Sequence, residues 1–388
     1  MTSRAALVSL LILLTASGSG LAQAGGSGSA GGSAGRASHD GRLYDAGIGR
    51  SERAASAPEA LSEMAAFVGD WDLEQDVRRP GKEPLVSRGI AKVTFMNRGH
   101  ALMERARIGD FDGQGHAMAT MAFLAVNPNG VWTVGEGNSW TESIMLASGG
   151  FVGGKLVLHD SIRPGGGPTL VLLRRTYSTS QRSAFEMTLE KSDDVGESWS
   201  PLMIRRYRRR APSPDFFPVG DGIGVPAADR PAEAAQFDFL LGEHEASHWL
   251  KRPDRELRWR SNATAVHVLD GHGILEFDWH DKDPSLPDAA TSILRLYNRS
   301  MRRWESLYLA NRGNSPLHFG GVQEGERIVL HPFDAQTGSN PLSQWIFFDI
   351  QQKSYRWKGL QSRDRGATFE PTWTIDFVRK SIDDGLAP

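Results

Sequence analysis

Two His-x-x-x-Glu pairs, His100–Glu104 and His272–Glu276, stand 172 residues apart in this chain of 388. An imidazole titrates near pH ~6.5, so beside a carboxylate it can orient a ligand or relay a proton. On a strand His100, Leu102 and Glu104 share a face, as do His272, Ile274 and Glu276. Residues four apart on a strand lie roughly 13 Å apart, so the two groups of a pair cannot bond directly. A neighbouring strand must complete any site, and His159 and His331 are the candidates. The competing reading is a satisfied hairpin contact or a solvated face. His280, Asp281 and Asp283 add a polar cluster to the second half alone.

A literal H-E-x-x-H string occurs at His244-Glu245-Ala246-Ser247-His248. In zinc peptidases both imidazoles lie one helical turn apart, with the glutamate as general base. Here the string follows Leu241-Gly242, aligned by an internal repeat with a strand start, so it should be extended. No metal site is assigned. Arg205-Arg206-Tyr207-Arg208-Arg209-Arg210 offers basic groups around one aromatic, as a nucleic-acid strip would. Its place at the end of the first half favours a solvated strand end. Ser192-x-Asp194-x-Gly196-x-Ser198-Trp199 reads as a turn in which the aspartate binds local amides.

The elements that must position these groups come in two copies. Phe67-Val68-Gly69-Asp70-Trp71 aligns with Leu240-Leu241-Gly242-Glu243-His244, and Gly99-His100 with Gly271-His272. Trp132 matches Trp304, and Val157-Leu158-His159 matches Val329-Leu330-His331. The Asp194 turn matches Ser362-x-Asp364-x-Gly366-x-Thr368-Phe369. Each copy opens with a short helix, which Ser56 can cap with Pro58 and Glu59 behind it. Asp229 and Pro231 offer the same chemistry in the second copy. Then come short β runs: Ala91–Met96, Met118–Val126, Leu156–Ser161, Leu170–Tyr177 and Pro201–Arg208. Turn signals separate them at Asn127-Pro128-Asn129-Gly130, Gly149-Gly150, Gly165-Gly166-Gly167-Pro168 and Asp194-Val195-Gly196. The fold class expected is all-β, with about 8–10 antiparallel strands in each of two tandem barrels.

The short helix, the Gly69-x-Trp71 strand start and the antiparallel meander resemble the lipocalin, or calycin, barrel. More closely, each copy resembles a family of bacterial exported domains of unknown function with a lipocalin-like fold. The resemblance rests on Phe67-x-Gly69-x-Trp71, the Gly99-His100-x-x-x-Glu104 strand and the terminal Asp194 turn. It implies that Trp71 packs against an arginine of the last strand at the closed end. Arg209 is placed for this, and Arg379 would meet His244, which stands where the second tryptophan should be.

Arg4, the apolar run Ala5–Leu14 and Ala22-Gln23-Ala24 have the order of a cleavable export signal over residues 1–24. The run is short of the ~20 apolar residues of a membrane span. Residues 25–57 are Gly-, Ser- and Ala-rich and read as a flexible tether. Barrels are then expected over 58–209 and 231–388, joined by a Pro/Gly-rich linker at 210–230. A periplasmic or secreted location follows.

The chain has no cysteine, which excludes disulfides, thiolate metal sites and cysteine nucleophiles. Lys+Arg number 44 against 46 Asp+Glu, a balance that gives no reason to expect nucleic acid as a partner. No P-loop, dinucleotide fingerprint or G-x-S-x-G elbow occurs, and no cofactor is expected. The leading expectation is a small apolar or amphipathic molecule bound in one or both barrel mouths. Its anchors would be His100, Glu104 and His159, or His272, Glu276 and His331. The rivals are an isomerase, lyase or hydrolase using His/Glu acid–base chemistry, and a structural module with filled barrels.

Overall fold

The computed structural model describes residues 52–162, 170–181, 183–212, 224–279, 289–311, 315–333 and 342–380. The first copy forms β1 (Gly69–Val77), β2 (Leu85–Met96), β3 (Ala101–Gly109), β4 (Met118–Val126) and β5 (Trp132–Asn138). It continues through β6 (Ile144–Val152), β7 (Lys155–Ile162), β8 (Val171–Gln181), β9 (Ala184–Ser192) and β10 (Ser200–Arg209). The second copy holds β11 (Gly242–Lys251), β12 (Glu256–Val268), β13 (Gly273–Trp279), β14 (Ala290–Asn298) and β15 (Arg303–Ala310). After these come β16 (Leu317–Glu324), β17 (Arg327–Pro332), β18 (Leu342–Phe348), β19 (Ser354–Ser362) and β20 (Glu370–Arg379). In each copy every strand pairs antiparallel with its neighbours and the first pairs with the last, closing a ten-stranded barrel.

A 3-10 helix precedes each barrel, Glu59–Phe67 and Ala232–Leu240. Three residues per turn put Leu61, Met64 and Phe67 on one face, and Ala234, Phe237 and Leu240 on the other helix's corresponding face. These six are buried and plug one end of each barrel. Ser56 does not cap the first helix. Pro58 takes the N-cap position, and the Ser56 hydroxyl is hydrogen-bonded instead with His100 Nε2 at 3.1 Å.

At the plugged end Arg209 lies over the Trp71 ring, 3.9 Å from its centroid, and donates to the carbonyls of Val68 and Ala66. Arg379 pairs in register with His244 and donates to the Phe239 carbonyl at 3.1 Å. Residues 52–57, assigned above to the tether, pack on the barrel: Ala54 N–H donates to the Gly99 carbonyl. From the linker, Ala227 N–H donates likewise to Gly271. Both glycines have positive φ, and a β-carbon on either would overlap the crossing segment.

Gly149 and Gly150 are a second departure, since they lie inside β6 and the turn falls at Gly153-Gly154. Gly149 pairs with Trp132, as Gly321 pairs with Trp304, and neither has room for a side chain. The two aspartate turns match atom for atom. Asp194 accepts from Ser198 N–H at 2.9 Å and Asp364 from Thr368 N–H at 2.8 Å, with Ser192 and Ser362 donating to them. Gly165–Pro168, the cluster His280, Asp281 and Asp283, the export signal, and the tether up to residue 51 lie outside the described residues.

The barrels pack against each other through the outer faces of β3–β5 and β12–β15. Met103, Met121 and Phe123 meet Leu275, Leu294, Leu296 and Leu307 in one apolar cluster. Asn97, at the plugged end of the first barrel, donates to the Leu309 carbonyl at the far end of β15. Conversely Glu142, in the loop between β5 and β6 at the end opposite the helix, takes Arg299 and His272 from the plugged end of the second barrel. The barrels therefore lie antiparallel, and their helix-plugged ends face opposite ways. Among the described residues no helix is long and apolar enough to cross a membrane.

Candidate functional site

Alternation along the strands sends the charges of the first barrel into its interior. Glu104 of β3, Glu136 of β5, Arg175 of β8 and Arg205 of β10 are all buried, above an apolar floor of Trp71, Phe185 and Leu102. Glu136 sits between the guanidiniums, 2.7 Å from Arg175 Nη1 and 3.0 Å from Arg205 Nη1. Arg205 Nε donates to Gln75 at 2.9 Å, and Tyr207 OH to Glu104 at 2.7 Å. Arg175 Nε is buried and has no partner.

The electrostatics of this belt are asymmetric. Burial penalises ionised Glu136, but the two guanidiniums outweigh it and hold its carboxyl below the usual range. Burial dominates at Glu104 and pushes its carboxyl up. Burial also acts against both arginines, yet Glu136 more than offsets it and keeps them charged. Two guanidiniums thus share Glu136 as their direct ion-pair partner, while burial disfavours the charge on Glu104. Asp160 of β7, nearer the end opposite the helix, is pushed up by burial to about 6.

The second barrel has a different interior. Glu276, the counterpart of Glu104, pairs with Arg295 of β14, and no guanidinium replaces Arg175 or Arg205. Those positions hold Trp345 and Ile375. His248 and Asp278 face inward with Ser261, which lies 2.6 Å from His248 Nε2. Asp278 stands 3.7 Å from that same nitrogen. Serine and carboxylate thus crowd one side of the imidazole, so this is not the relay of a serine nucleophile.

The anticipated anchors divide. Glu104 and Glu276 lie inside their barrels, one bonded to Tyr207 and the other to Arg295. His100 and His272 do not share their face, because the strands begin one residue later, at Ala101 and Gly273. Both histidines sit in turns at the plugged ends, not in the mouths. His100 Nδ1 lies 3.2 Å from the Asn97 carbonyl, and His272 Nδ1 lies 2.9 Å from Glu142. His159 and His331 are exposed on outer faces, His159 against Trp199. No His–Glu acid–base pair forms from these six.

The H-E-x-x-H string is extended, as anticipated, on β11, with Glu245 outside on Arg260. Arg205 departs from the solvated strand end assigned to it: it points in and is buried, whereas Arg206, Arg208 and Arg210 point out. Arg175 and Arg205 were missed because each stands beside another arginine. The available signal was strand alternation, which puts one of two adjacent residues inside.

No protein-family model matches the chain, and no curated protein matches it. Among solved structures, a protein of unknown function from the DUF3598 family of Nostoc punctiforme is 12% identical, with a TM-score of 0.24. That match covers 83% of this chain and 99% of the other. Transferrin binding protein B of Haemophilus parasuis is 8% identical, covering 79% of this chain and 74% of its own, at a TM-score of 0.13. The fold assignment rests on the strand ladders themselves.

Proposed function

We propose that the protein is an exported binder of small amphipathic molecules, and that the first barrel takes a ligand with a singly charged anionic head group. The observation that carries this is Arg175 Nε, a buried, unpartnered donor on a guanidinium that Glu136 must share with Arg205. A carboxylate or similar head would supply the second negative charge and accept that N–H, while its apolar tail lies along the barrel wall. Charge-assisted bonds of this kind contribute about 1.5–3 kcal/mol each. The barrel is closed by hydrogen bonds all round, so the ligand enters through the end opposite the helix.

Export rests on the order of Arg4, the apolar run and Ala22-Gln23-Ala24, and places this binding in the periplasm or outside the cell. Native mass spectrometry of the protein purified with its signal intact at expression tests both parts. The result anticipated is a chain beginning at Gly25 that carries an organic acid released on denaturation. A chain retaining Met1, or a released ligand that is neutral or cationic, would contradict the corresponding part.

A further inference from the structure

We propose that the open half of the second barrel is a separate binding site for an uncharged, planar aromatic molecule carrying a hydrogen-bond acceptor. The inference goes beyond the anion site of the first barrel and stands on different residues.

A continuous aromatic wall lines this half. His248 stacks on Trp259, with ring centroids 4.6 Å apart, and Trp259 lies 5.9 Å from Trp373. Trp373 meets Trp357 at 5.3 Å, Trp357 meets Trp345 at 5.5 Å, and Trp345 meets Tyr308 at 5.1 Å. Inward-pointing indoles would be buried if they only filled a core. Trp259, Trp345, Trp373 and Tyr308 each keep part of their surface in solvent.

The repeat provides an internal control. Register alignment puts Ser87, Glu136, Arg175, Met187 and Met203 where the second barrel has Trp259, Tyr308, Trp345, Trp357 and Trp373. A ten-stranded barrel of this kind therefore closes without any of those rings, so the fold does not require the wall. Flat rings present π faces that suit a planar ligand, which stacks or meets them edge to face.

Beside the inward His248, Ser261 and Asp278, two buried polar atoms of this half have no partner among the described residues. Trp373 Nε1–H is buried and has no acceptor, and Ser306 Oγ, on the inner face of β15, is buried without a partner. An indole N–H can only donate, so the ligand must offer an acceptor such as a carbonyl or ring nitrogen. Among the described residues the guanidinium inside this barrel is that of Arg295, and it is engaged by Glu276, so none of them is a surplus cation that would draw an anion here. Because the barrels are antiparallel, this site opens on the opposite side of the molecule from the first.

The test uses prodan, a neutral naphthyl ketone whose emission shifts to the blue on leaving water. It is titrated into the full mature chain and into variants whose fold is checked by circular dichroism. Trp373→Phe keeps an aromatic ring and removes the donor, and should weaken binding about fivefold. Trp259→Leu removes a stacking face and should weaken it about tenfold or more. Arg175→Met, in the other barrel, should leave prodan affinity in place. Absence of binding to the wild-type chain, or an affinity indifferent to both tryptophan changes, would overturn the proposal. Loss of prodan only in Arg175→Met would put the dye in the first barrel and overturn it equally. The anion site is read separately with fatty-acid anions, so either reading can fail alone.

Discussion

Leu307 of β15 occupies the space that a side chain on Gly135 of β5 would need. Gly137 gives way in the same manner to Leu294 and Leu296. The first barrel supplies gaps and the second supplies leucines, so the seam is interlocked rather than a contact of two smooth surfaces. Gly135→Val should destabilise the chain by about 1–3 kcal/mol through overpacking. Calorimetry should show one unfolding transition for the wild type. Two separate wild-type transitions, with Gly135→Val affecting neither, would mean that the barrels are independent.

Among the described residues Glu136 is the carboxylate that ion-pairs with both the Arg175 and the Arg205 guanidiniums. Removing one member of a buried charge network leaves the others uncompensated, so Glu136→Gln should cost about 3–5 kcal/mol in urea unfolding. Added dodecanoate should recover part of that loss. Equal stability of the variant and the wild type would show that the belt is not a closely balanced charge set.

Arg209 ties the first helix to the barrel by its place over Trp71 and its bonds to Val68 and Ala66. Arg209→Ala should lower stability by about 1–2 kcal/mol. A loss within error would show that Phe67 and its neighbours hold the plug alone.

Burial, partly offset by a bond from Ser261, pushes the Asp278 carboxyl up to about 7. In the unfolded chain it titrates near pH ~3.9, so the native state holds the extra proton between those values. The associated stability is fully present below about pH 4, falls as pH rises through about 7, and then levels. Asp278→Asn should avoid that fall, so its stability relative to wild type should rise by about 4 kcal/mol between pH ~4 and ~8. Parallel stability curves for the two proteins would contradict the assignment.

Much of the architecture was readable from residue order. The duplicated Gly69/Gly242 strand starts, Trp132/Trp304 and the two aspartate turns require two equivalent domains, and each closes with ten strands. Glu104 and Glu276 were legible as inward groups, because alternation from Leu102 and Ile274 fixes their side. His100 and His272 were not, since moving a strand start by one residue converts a wall position into a turn. The seam was missed although Met118–Val126 carries almost no polar residue. A strand buried on both faces reads that way, and all nine residues of β4 are buried. The aromatic wall was hidden because tryptophans scattered over β12, β18, β19 and β20 meet only when the barrel closes.

The central claim is that the first barrel selects an anionic head group through Arg175. The most direct measurement compares dodecanoate with dodecanol, which share a tail, by calorimetric titration of the wild-type chain and Arg175→Met. The wild type should bind dodecanoate about 10–100-fold more tightly than dodecanol, and Arg175→Met should abolish that preference. Equal affinity of the wild type for acid and alcohol, or a preference that survives in Arg175→Met, would contradict it.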